Sequence, residues 1–426
     1  MSKQLNNKIK NKSAKIAIIG LGYVGLELAT TIAKSQFQVY GFDKNKDKIN
    51  LIKKNKSPIN TISSKKIKLL NKKFVLNLGD IQQIYYCDVI IIALPTPLTK
   101  NDKPDISYLK SCYKNISPYL RHDQMIILES TVYPGATTEI FSKEIDKKFI
   151  IGKNFNVCFS PERISPGKKL SYEYRDIPKI ISGKTKDCLN SLSLFYGKIF
   201  KTIYKCKTIE IAEFTKLYEN AFRAVNIGFA NQMKIVSNKM GINISEVINA
   251  AKTKPFGFTP FSPGPGVGGH CIPIDPLFIS YVAKKYNVKS NFIELARKVN
   301  LETTEWVINK IKKNIKKNSK ILIFGAAYKK NIDDWRESPT VKIISKLEKF
   351  YNVTYYDPYI PEIFIDSKPF LSVKKLNYIN LKNYSGIVIS TDHDCFDYNK
   401  ILKYSKIIFD TRNSFSNKFS EKIINC

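Results

Sequence analysis

The sequence predicts an α/β protein in which two doubly wound, parallel-sheet domains are joined by a central domain built on one long helix. Three observations lead to this prediction. Short β-branched runs alternate with helical stretches from residue 14 onward, a proline-free run from 208 to about 240 has helical periodicity, and strand-like runs resume near 317. The 426 residues exceed the size of one compact domain. We therefore predict a flexible tail and three domains, with the boundaries 1–13, 14–205, 206–312 and 317–426.

The first of these domains opens with a glycine pattern that is typical of dinucleotide binding. A β-branched strand over 14–19 leads directly into the glycines and a helix, and the next strand ends at Asp43. Gly20 allows a tight turn, Gly22 lets the backbone approach a pyrophosphate, and Gly25 lets the helix pack against the sheet. Asp43 is placed to accept the ribose hydroxyls, and its charge repels a 2′-phosphate. The pattern therefore predicts a Rossmann-like domain that binds NAD rather than NADP.

Three later strands of the same domain end in polar loops. Open α/β sheets bind their ligands at the carboxyl ends of the strands, so these loops are candidates for the site. The strands over 87–94, 125–129 and 156–159 lead to five candidate residues, which are Pro95, Thr96, Thr131, Glu162 and Arg163. Tyr23 and Val24, inside the glycine turn, complete the cofactor candidates.

The central domain begins with the long helix. Lys216, Asn220 and Arg223 are spaced by four and three residues, so they share one face of it. In a chain so rich in lysine, a solvated polar stripe is the alternative interpretation. The Asn220 amide, one turn from Lys216, favours a functional face.

A glycine- and proline-rich loop follows, and it presents Cys271. The run from 263 to 276 has the sequence Pro-Gly-Pro-Gly-Val-Gly-Gly-His-Cys-Ile-Pro-Ile-Asp-Pro, which is incompatible with a regular helix or strand. Gly268 lies within this turn, His270 stands beside the thiol, and Asp275 follows four residues later. This arrangement predicts a nucleophile, with a buried structural cysteine as the alternative.

The C-terminal hundred residues predict a second α/β domain without a G-x-G-x-x-G pattern. A second dinucleotide is therefore not expected there. Lys329 and Arg412 follow strand-like runs, where their charges could hold a phosphate or a nucleotide.

Composition limits the class of partner. The formal net charge of +34 would suit a nucleic-acid-binding protein. Lysine, however, supplies most of the 70 basic residues along the whole length, and no aromatic-basic recognition motif is present. The sequence has no long apolar run, no apolar signal segment at its start, and eight scattered cysteines without metal-binding spacing. We expect a cytoplasmic protein with reduced thiols and an anionic small-molecule substrate, and we expect no nucleic acid, membrane or metal as partner.

On these motifs the chain resembles the UDP-glucose/GDP-mannose dehydrogenase family of nucleotide-sugar 6-dehydrogenases. The resemblance extends from 15 to 413 and rests on seven motifs: Gly-Leu-Gly-Tyr-Val-Gly-Leu at 20–26, Leu-Pro-Thr-Pro at 94–97, Glu-Ser-Thr-Val-Tyr-Pro-Gly at 129–135, Ser-Pro-Glu-Arg at 160–163, Phe-Arg-Ala-Val-Asn at 222–226, the cysteine loop, and Arg-Glu-Ser-Pro at 336–339. It implies an N-terminal NAD-binding domain, a central helix that mediates dimers or higher homo-oligomers, and a C-terminal domain that binds the UDP part of the substrate.

The resemblance also implies roles for individual residues. Cys271 would carry the aldehyde as a thiohemiacetal and then a thioester, in a four-electron oxidation of a primary alcohol that supplies surface polysaccharide. The other catalytic residues implied are Lys216 and Asn220 for oxyanions, and Asp275, Thr131 and Glu162 for protons and water. The substrate contacts implied are Glu162, Arg163, Lys216, Asn220, Arg223, Gly268, Lys329 and Arg412, while Arg336 would complete the cofactor site.

Within the family the chain looks most like the branch acting on UDP-N-acetylhexosamines of the GlcNAc or GalNAc type. Ile274 precedes Asp275 where the UDP-glucose branch usually has a lysine, and an arginine expected near Pro255 is absent. The alternatives are a UDP-glucose or UDP-ManNAc 6-dehydrogenase, a simple two-electron NAD dehydrogenase, and a non-catalytic protein that senses NAD or binds nucleic acid.

Overall fold

A computed structural model of the chain describes residues 3–60, 62–73, 77–78, 80–164, 173–415 and 420–426. It divides into two compact units. The first contains 1–219 and 277–287, and the second contains 220–276 and 288–426. No helix in the described ranges combines the length and apolarity needed to cross a membrane.

The first unit is built on an eight-stranded sheet. Its strands are β1 (Lys15–Ile19), β2 (Gln38–Phe42), β3 (Asn77–Leu78), β4 (Val89–Ile92), β5 (Gln124–Leu128), β6 (Phe155–Phe159), β7 (Lys179–Gly183) and β8 (Ile203–Lys205). They lie in the order β3-β2-β1-β4-β5-β6-β7-β8, with Ile16 opposite Val89 in the β1–β4 pair. Strands β4, β5 and β6 are buried along their whole length, as expected for a sheet covered on both faces.

One pairing in this sheet departs from the predicted parallel arrangement. Strand β7 runs antiparallel to β6, with Phe159 opposite Ser182, while every other neighbouring pair between described strands of this sheet is parallel. The start of β7 therefore lies at the same edge as the carboxyl end of β6. This reversal brings Lys179, the first residue of β7, to the edge where the predicted ligand loops lie.

The helices, in chain order, are α1 (Lys3–Lys10), α2 (Tyr23–Lys34), α3 (Lys46–Lys53), α4 (Ser64–Lys73), α5 (Ser107–Ile116), α6 (Lys143–Ile145), α7 (Lys186–Tyr196), α8 (Ile209–Lys239), α9 (Ile244–Ala251), α10 (Asp275–Lys285), α11 (Asn291–Asn314), α12 (Pro339–Leu347) and α13 (Tyr398–Tyr404). Helix α8, with 31 residues, confirms the long helix predicted from 208 to about 240.

The prediction of a flexible tail over 1–13 is wrong for residues 3–10, which form α1. Leu5 and Ile9 are fully buried in the core of the first unit, and the Lys8 Nζ lies 2.7 Å from the Asp88 Oδ1. The segment is polar overall, but its two apolar side chains are four residues apart and therefore lie on one helical face.

The second unit contains a five-stranded parallel sheet. Its strands are β9 (Lys320–Phe324), β10 (Asn352–Tyr356), β13 (Gly386–Ile389), β14 (Ile408–Asp410) and β15 (Ile423–Asn425), in the order β10-β9-β13-β14-β15. A separate antiparallel pair is formed by β11 (Glu362–Ile365) and β12 (Lys368–Leu371). The sheet agrees with the predicted second α/β domain, and apolar clusters pack on both of its faces.

Candidate active site

The glycine turn of the first unit has the geometry that a pyrophosphate requires. Gly20 adopts φ +96°, and its N–H donates to the Phe42 carbonyl at 2.8 Å. A Cβ at Gly25 would lie 1.8 Å from the Gly20 carbonyl oxygen, whereas one at Gly22 would meet nothing within 4 Å. The turn is therefore closed towards the protein at Gly25 and open at Gly22, where the first turn of α2 begins. The partial positive charge of that helix end favours a phosphate.

Asp43 stands at the end of β2 and faces this turn. Its Oδ2 accepts a hydrogen bond from the Leu21 N–H at 2.9 Å, and its Oδ1 accepts one from the Asn45 N–H at 2.8 Å. These two bonds fix the carboxylate while leaving further lone pairs for ribose hydroxyls. Tyr23 and Val24 are half-buried at the start of α2. The residues present therefore fit NAD: the glycine turn would hold the pyrophosphate and Asp43 the adenosine ribose.

The loops after β4 and β5 are bonded to each other. The Leu94 N–H donates to the Ser130 Oγ at 2.9 Å, and the Thr96 hydroxyl donates to the Thr131 carbonyl at 2.6 Å. Pro95 lies between these two bonds. The structure thus brings Pro95, Thr96 and Thr131 together at the carboxyl edge of the sheet.

Glu162 lies on the next loop along this edge, and its carboxylate accepts four hydrogen bonds. Its Oε1 accepts the N–H groups of Arg163 and Ile164, both at 2.6 Å. Its Oε2 accepts the Tyr174 hydroxyl and the Lys179 ammonium, the latter at 3.3 Å. With four donors on two oxygens, the Glu162 carboxylate is fixed in place by the residues around it.

The Arg163 side chain turns to α8. Its guanidinium donates to both carboxylate oxygens of Glu219, at 2.7 and 3.2 Å, and to the Pro178 carbonyl at 3.1 Å. Arg163 therefore ties the Glu162 loop to the long helix.

Helix α8 carries the predicted polar face, which is not a solvated stripe along its whole length. Lys216 and Asn220 are buried, whereas Arg223 is exposed. The Asn220 Nδ2 donates to the Asp275 Oδ2 at 2.5 Å, and the Asp275 side chain is buried as well. This bond couples α8 to the end of the cysteine loop, because the Asp275 N–H donates to the Cys271 carbonyl at 2.9 Å.

Cys271 is half-buried, so it is not the fully buried structural cysteine that the sequence left open. Six of the other cysteines are buried and Cys395 is exposed, and all eight are free thiols. The glycines before it are held on several sides. The Gly264 N–H donates to the Asn231 Oδ1 at 2.8 Å, and the Gly264 carbonyl accepts from the Lys234 Nζ at 2.7 Å, both from α8.

The remaining glycines of the loop permit close contacts that no other residue would allow. A Cβ at Gly266, which has φ +136°, would lie 2.5 Å from the Thr304 hydroxyl, and one at Gly268 would lie 2.7 Å from the Glu337 carbonyl oxygen. Gly269 has φ +84° and packs against the Tyr328 ring. The cysteine loop is thus held by α8 and by the residues that pack against its glycines, and these contacts fix the conformation of its backbone.

His270 and Arg336 form a link between this loop and the segment after β9. The Arg336 guanidinium donates to both oxygens of Asp334, with a shortest distance of 2.6 Å, and to the His270 Nδ1 at 3.1 Å. Because arginine can only donate, the His270 Nδ1 is an acceptor. The Arg336 carbonyl also accepts the Gly269 N–H at 2.9 Å. Through these two contacts Arg336 supports the cysteine loop, a role that the sequence did not predict.

Arg412 and Lys329 lie where parallel strands of the second unit end. Arg412 follows β14, donates from its Nε to the Ser390 carbonyl at 2.8 Å, and places Nη1 2.7 Å from where a Gly264 Cβ would be. Lys329 is half-buried in the segment after β9. Both side chains belong to the carboxyl edge of the second sheet.

Comparison with known protein families decides the class of the enzyme. Three parts of the UDP-glucose/GDP-mannose dehydrogenase family match the chain in succession: the NAD binding domain at 14–205, the central domain at 210–302 and the UDP binding domain at 322–417. The chain belongs to this family. It is accordingly an NAD-dependent oxidoreductase acting on a CH–OH group of a nucleotide sugar, which confirms the predicted family, cofactor and class of reaction.

Individual family members cover almost the whole chain. A UDP-N-acetyl-D-mannosamine dehydrogenase of Methanocaldococcus jannaschii is 36% identical, over 96% of this chain and 94% of the relative. A UDP-N-acetyl-D-glucosamine 6-dehydrogenase of Pseudomonas aeruginosa is 31% identical, over 94% and 97%. The solved UDP-D-ManNAc dehydrogenase from Pyrococcus horikoshii is 30% identical over 96% of this chain and 97% of its own, with a TM-score of 0.83.

Sequence reasoning missed the residues that support the family motifs. Lys179 gave no signal, because it is one of many lysines and precedes an ordinary apolar run. Asn231 could have been found, since it lies eleven residues after Asn220 and therefore continues the same face of α8. Asp334 stands two residues before Arg336, the local spacing at which an acidic side chain can hold a neighbouring arginine.

Proposed function

We propose that the protein oxidises the 6-hydroxyl of a UDP-N-acetylhexosamine to the 6-carboxylate, in two steps at one carbon. Each sugar would consume two NAD⁺ and one water, and would yield the carboxylate, two NADH and three protons. NAD, when bound, supplies the acceptor for the hydride in both oxidations. The observation that carries the proposal is the half-buried Cys271 thiol on a glycine loop that its surroundings hold rigidly.

Residues of the chain carry out the covalent and proton-transfer steps. The Cys271 thiolate adds to the C6 aldehyde to form a thiohemiacetal, which prevents escape of a reactive aldehyde. After the second oxidation, water attacks the thioester, and the Cys271 thiolate leaves as the carboxylate forms. Asp275 accepts protons and orients the water, together with Thr131 and Glu162. The bond from Asn220 to Asp275 supports this role, because it fixes the carboxylate that must face the water.

The oxyanions of these steps need donors. We assign this role to Lys216 and Asn220, which are buried one turn apart on α8. Lys329 and Arg412 carry charge suited to the diphosphate, in the part of the chain that matches the UDP binding domain. Arg163, Arg223, Gly268 and Arg336 complete the residues that we expect near substrate or cofactor.

Sugar specificity is the finer part of the proposal. The sequence favours an N-acetylhexosamine through Ile274 and the absence of an arginine near Pro255. UDP-GlcNAc and UDP-GalNAc are our first candidates. UDP-ManNAc is the second, favoured by the archaeal relative at 36% identity. The uronic acid product would supply surface polysaccharide synthesis.

A panel of UDP-sugars with NAD⁺ tests the proposal directly. We expect two NADH for each sugar consumed with at least one UDP-N-acetylhexosamine, and slower turnover of UDP-glucose. A Cys271→Ser variant should yield little acid while still binding NAD. One NADH per sugar with release of free aldehyde would contradict the mechanism, and preference for UDP-glucose would contradict the substrate assignment. Binding of duplex DNA that survives physiological salt, without turnover of any UDP-sugar, would instead favour the non-catalytic alternative.

We further propose that the chain forms homodimers or larger homo-oligomers in the cytoplasm. Support comes from an exposed apolar stripe along α8, in which Tyr218, Phe222 and Phe229 are each about half exposed or more, and from α11, where Phe292 is 77% exposed. Such a concentration of exposed aromatic residues is typical of an interaction surface. The eight free thiols agree with a reducing compartment.

A further inference from the structure

A buried charge cluster lies beneath the ligand edge of the first unit. Lys179 is its centre, with its Nζ 2.7 Å from the Glu129 Oε2 and 3.3 Å from the Glu162 Oε2. The three side chains are between 0% and 8% exposed, so solvent screens none of them. Tyr174 donates to Glu162, and Tyr196 donates to Glu129.

The topology of the sheet explains why these groups meet. Glu129 follows β5 and Glu162 follows β6, and these neighbouring strands are parallel, so both acids reach the same edge. Lys179 opens β7, which is antiparallel to β6 and therefore begins where β6 ends. The ammonium also lies 5.4 Å from the ring centroids of Tyr196 and Phe200, which form an aromatic wall beside it.

The Lys179 ammonium pairs with both carboxylates, but the pKa values of the two acids shift in opposite directions. Burial disfavours ionisation of Glu162, but Lys179, Tyr174 and two backbone N–H groups outweigh it and lower the pKa of Glu162. Burial raises the pKa of Glu129 to about 7, against the opposing effect of Lys179, and the neighbouring Glu162 charge adds to the rise. The cluster therefore holds a proton on Glu129 in preference to Glu162.

We propose that Lys179 is a positioning residue for the acid-forming step: it keeps Glu162 a carboxylate and fixes the position of Glu162 relative to the loop after β5. The inference rests on the proposed function, in which Glu162 takes part in hydrolysis of the thioester. Glu129 is the second partner of Lys179, and Thr131 follows it two residues later in the same loop. Lys179 thereby also ties the Thr131 loop to the Glu162 loop.

The main test is a Lys179→Met variant with a matched control. Without the ammonium, the pKa of Glu162 should rise, because burial would then be opposed only by Tyr174 and the two backbone N–H groups. Acid formation should then show a new inflection, falling about tenfold per pH unit below it and recovering towards the wild-type rate as the pH rises. NAD binding should change little. The control is Lys8→Met, since Lys8 pairs with the buried Asp88 at the opposite, amino-terminal edge of the same sheet. Asp88 keeps its bond from Arg121 at 2.9 Å, so this variant should have the wild-type pH profile.

Two further measurements separate the possible outcomes. Tyr174→Phe removes one donor from Glu162 without removing a charge, so it should move the same inflection by a smaller amount. This variant tests whether acid formation depends on the ionisation of Glu162 even if Lys179→Met does not fold. Infrared spectroscopy of Lys179→Met should show an additional protonated-carboxyl band that disappears when Glu162→Gln is added, and this readout needs no turnover.

The failures are distinguishable. A wild-type enzyme that oxidises no UDP-sugar would refute the proposed function, and the infrared band would still decide whether Lys179 holds Glu162 ionised. A wild-type enzyme that produces acid, together with a folded Lys179→Met variant whose pH profile and carboxyl band are unchanged, would overturn the role of Lys179 alone.

Discussion

Two glycines of one turn should respond differently to the same substitution: Gly25→Ala should lower stability, and Gly22→Ala should lower the affinity for NAD. An alanine Cβ at Gly25 would lie 1.8 Å from the Gly20 carbonyl oxygen, which is backbone and cannot rotate away. The turn would have to open by about 1.5 Å to restore normal contact, so we expect Gly25→Ala to lower the free energy of unfolding by about 3 kcal/mol or more. For a unit of this size, that corresponds to a fall in midpoint of about 6–12 °C.

Gly22→Ala is the matched variant. Gly22 has φ −84° and ψ −162°, which any residue can adopt, and a Cβ there meets nothing within 4 Å. The lower entropy of the unfolded chain and the slightly poorer helix cap nearly cancel, so the unfolding free energy should stay within about 1 kcal/mol of the wild type. The methyl group would instead occupy the side of the turn that a pyrophosphate approaches. We expect the affinity for NAD to fall at least about tenfold.

Thermal or chemical unfolding of the protein without cofactor, and calorimetric titration with NAD⁺, measure the two effects separately. The reasoning would be refuted if Gly22→Ala bound NAD as tightly as the wild type. It would equally be refuted if, in the absence of NAD, Gly25→Ala had the same free energy of unfolding as the wild type, because the close contact with the Gly20 carbonyl would then cost nothing.

Three further predictions follow from other parts of the chain. Leu5→Ala should destabilise the first unit by about 2–5 kcal/mol in an unfolding titration, since Leu5 is fully buried, and an unchanged midpoint would show that α1 does not dock. Burial opposes ionisation of Asp357, but bonds from His393 and backbone N–H groups outweigh it and lower the pKa of Asp357. Its stabilising effect is therefore present above its unfolded pKa and is lost as the pH falls through the folded value, so Asp357→Asn should destabilise the protein at neutral pH and much less in acid. Phe229→Glu should reduce the mass measured by light scattering, because it places a charge on the apolar stripe of α8, and an unchanged mass would exclude that stripe as the interface.

The sequence predicted the parts of the molecule whose chemistry is local. The glycine turn, Asp43 and α8 could be found because strand, turn and helix follow one another within the chain. The same holds for the cysteine loop, where glycine and proline restrict the backbone. Each of these features is encoded by neighbours in sequence.

Contacts between distant residues were not predictable in this way. Lys179 meets Glu129 across 50 positions, and only the antiparallel pairing of β7 places it there. Lys234 reaches the Gly264 carbonyl across 30 positions, in a chain where most lysines are solvated. The error at α1 has a different cause, since two apolar residues in a polar octapeptide are a weak signal until the surface that buries them is known.

The two α/β sheets share one turn geometry, but the acid that follows the second strand is bonded differently in each. Gly325 adopts φ +84° after β9, and its N–H donates to the Tyr356 carbonyl at 2.9 Å, as Gly20 does after β1. Asp357 then ends β10 as Asp43 ends β2. Asp357, however, is fully buried, and its two oxygens accept five donors, which are the N–H groups of Ala326, Ala327, Tyr359 and Ile360 and the Nε2–H of His393.

No lone pair of Asp357 is left for a ribose hydroxyl, since a carboxylate offers about four acceptor sites. The His393 Nδ1 accepts the Asn331 N–H at 2.9 Å, which places its proton on Nε2, towards Asp357. The acid of the second turn thus serves the fold. The acid of the first turn accepts two backbone N–H groups and has the Lys48 ammonium 3.7 Å from its Oδ2, so it keeps sites for a ligand. The absence of G-x-G-x-x-G in the second domain and the five donors on Asp357 both disfavour a ribose at the second turn, so Lys329 and Arg412, at the carboxyl edge of that sheet, remain our candidates for holding a nucleotide there.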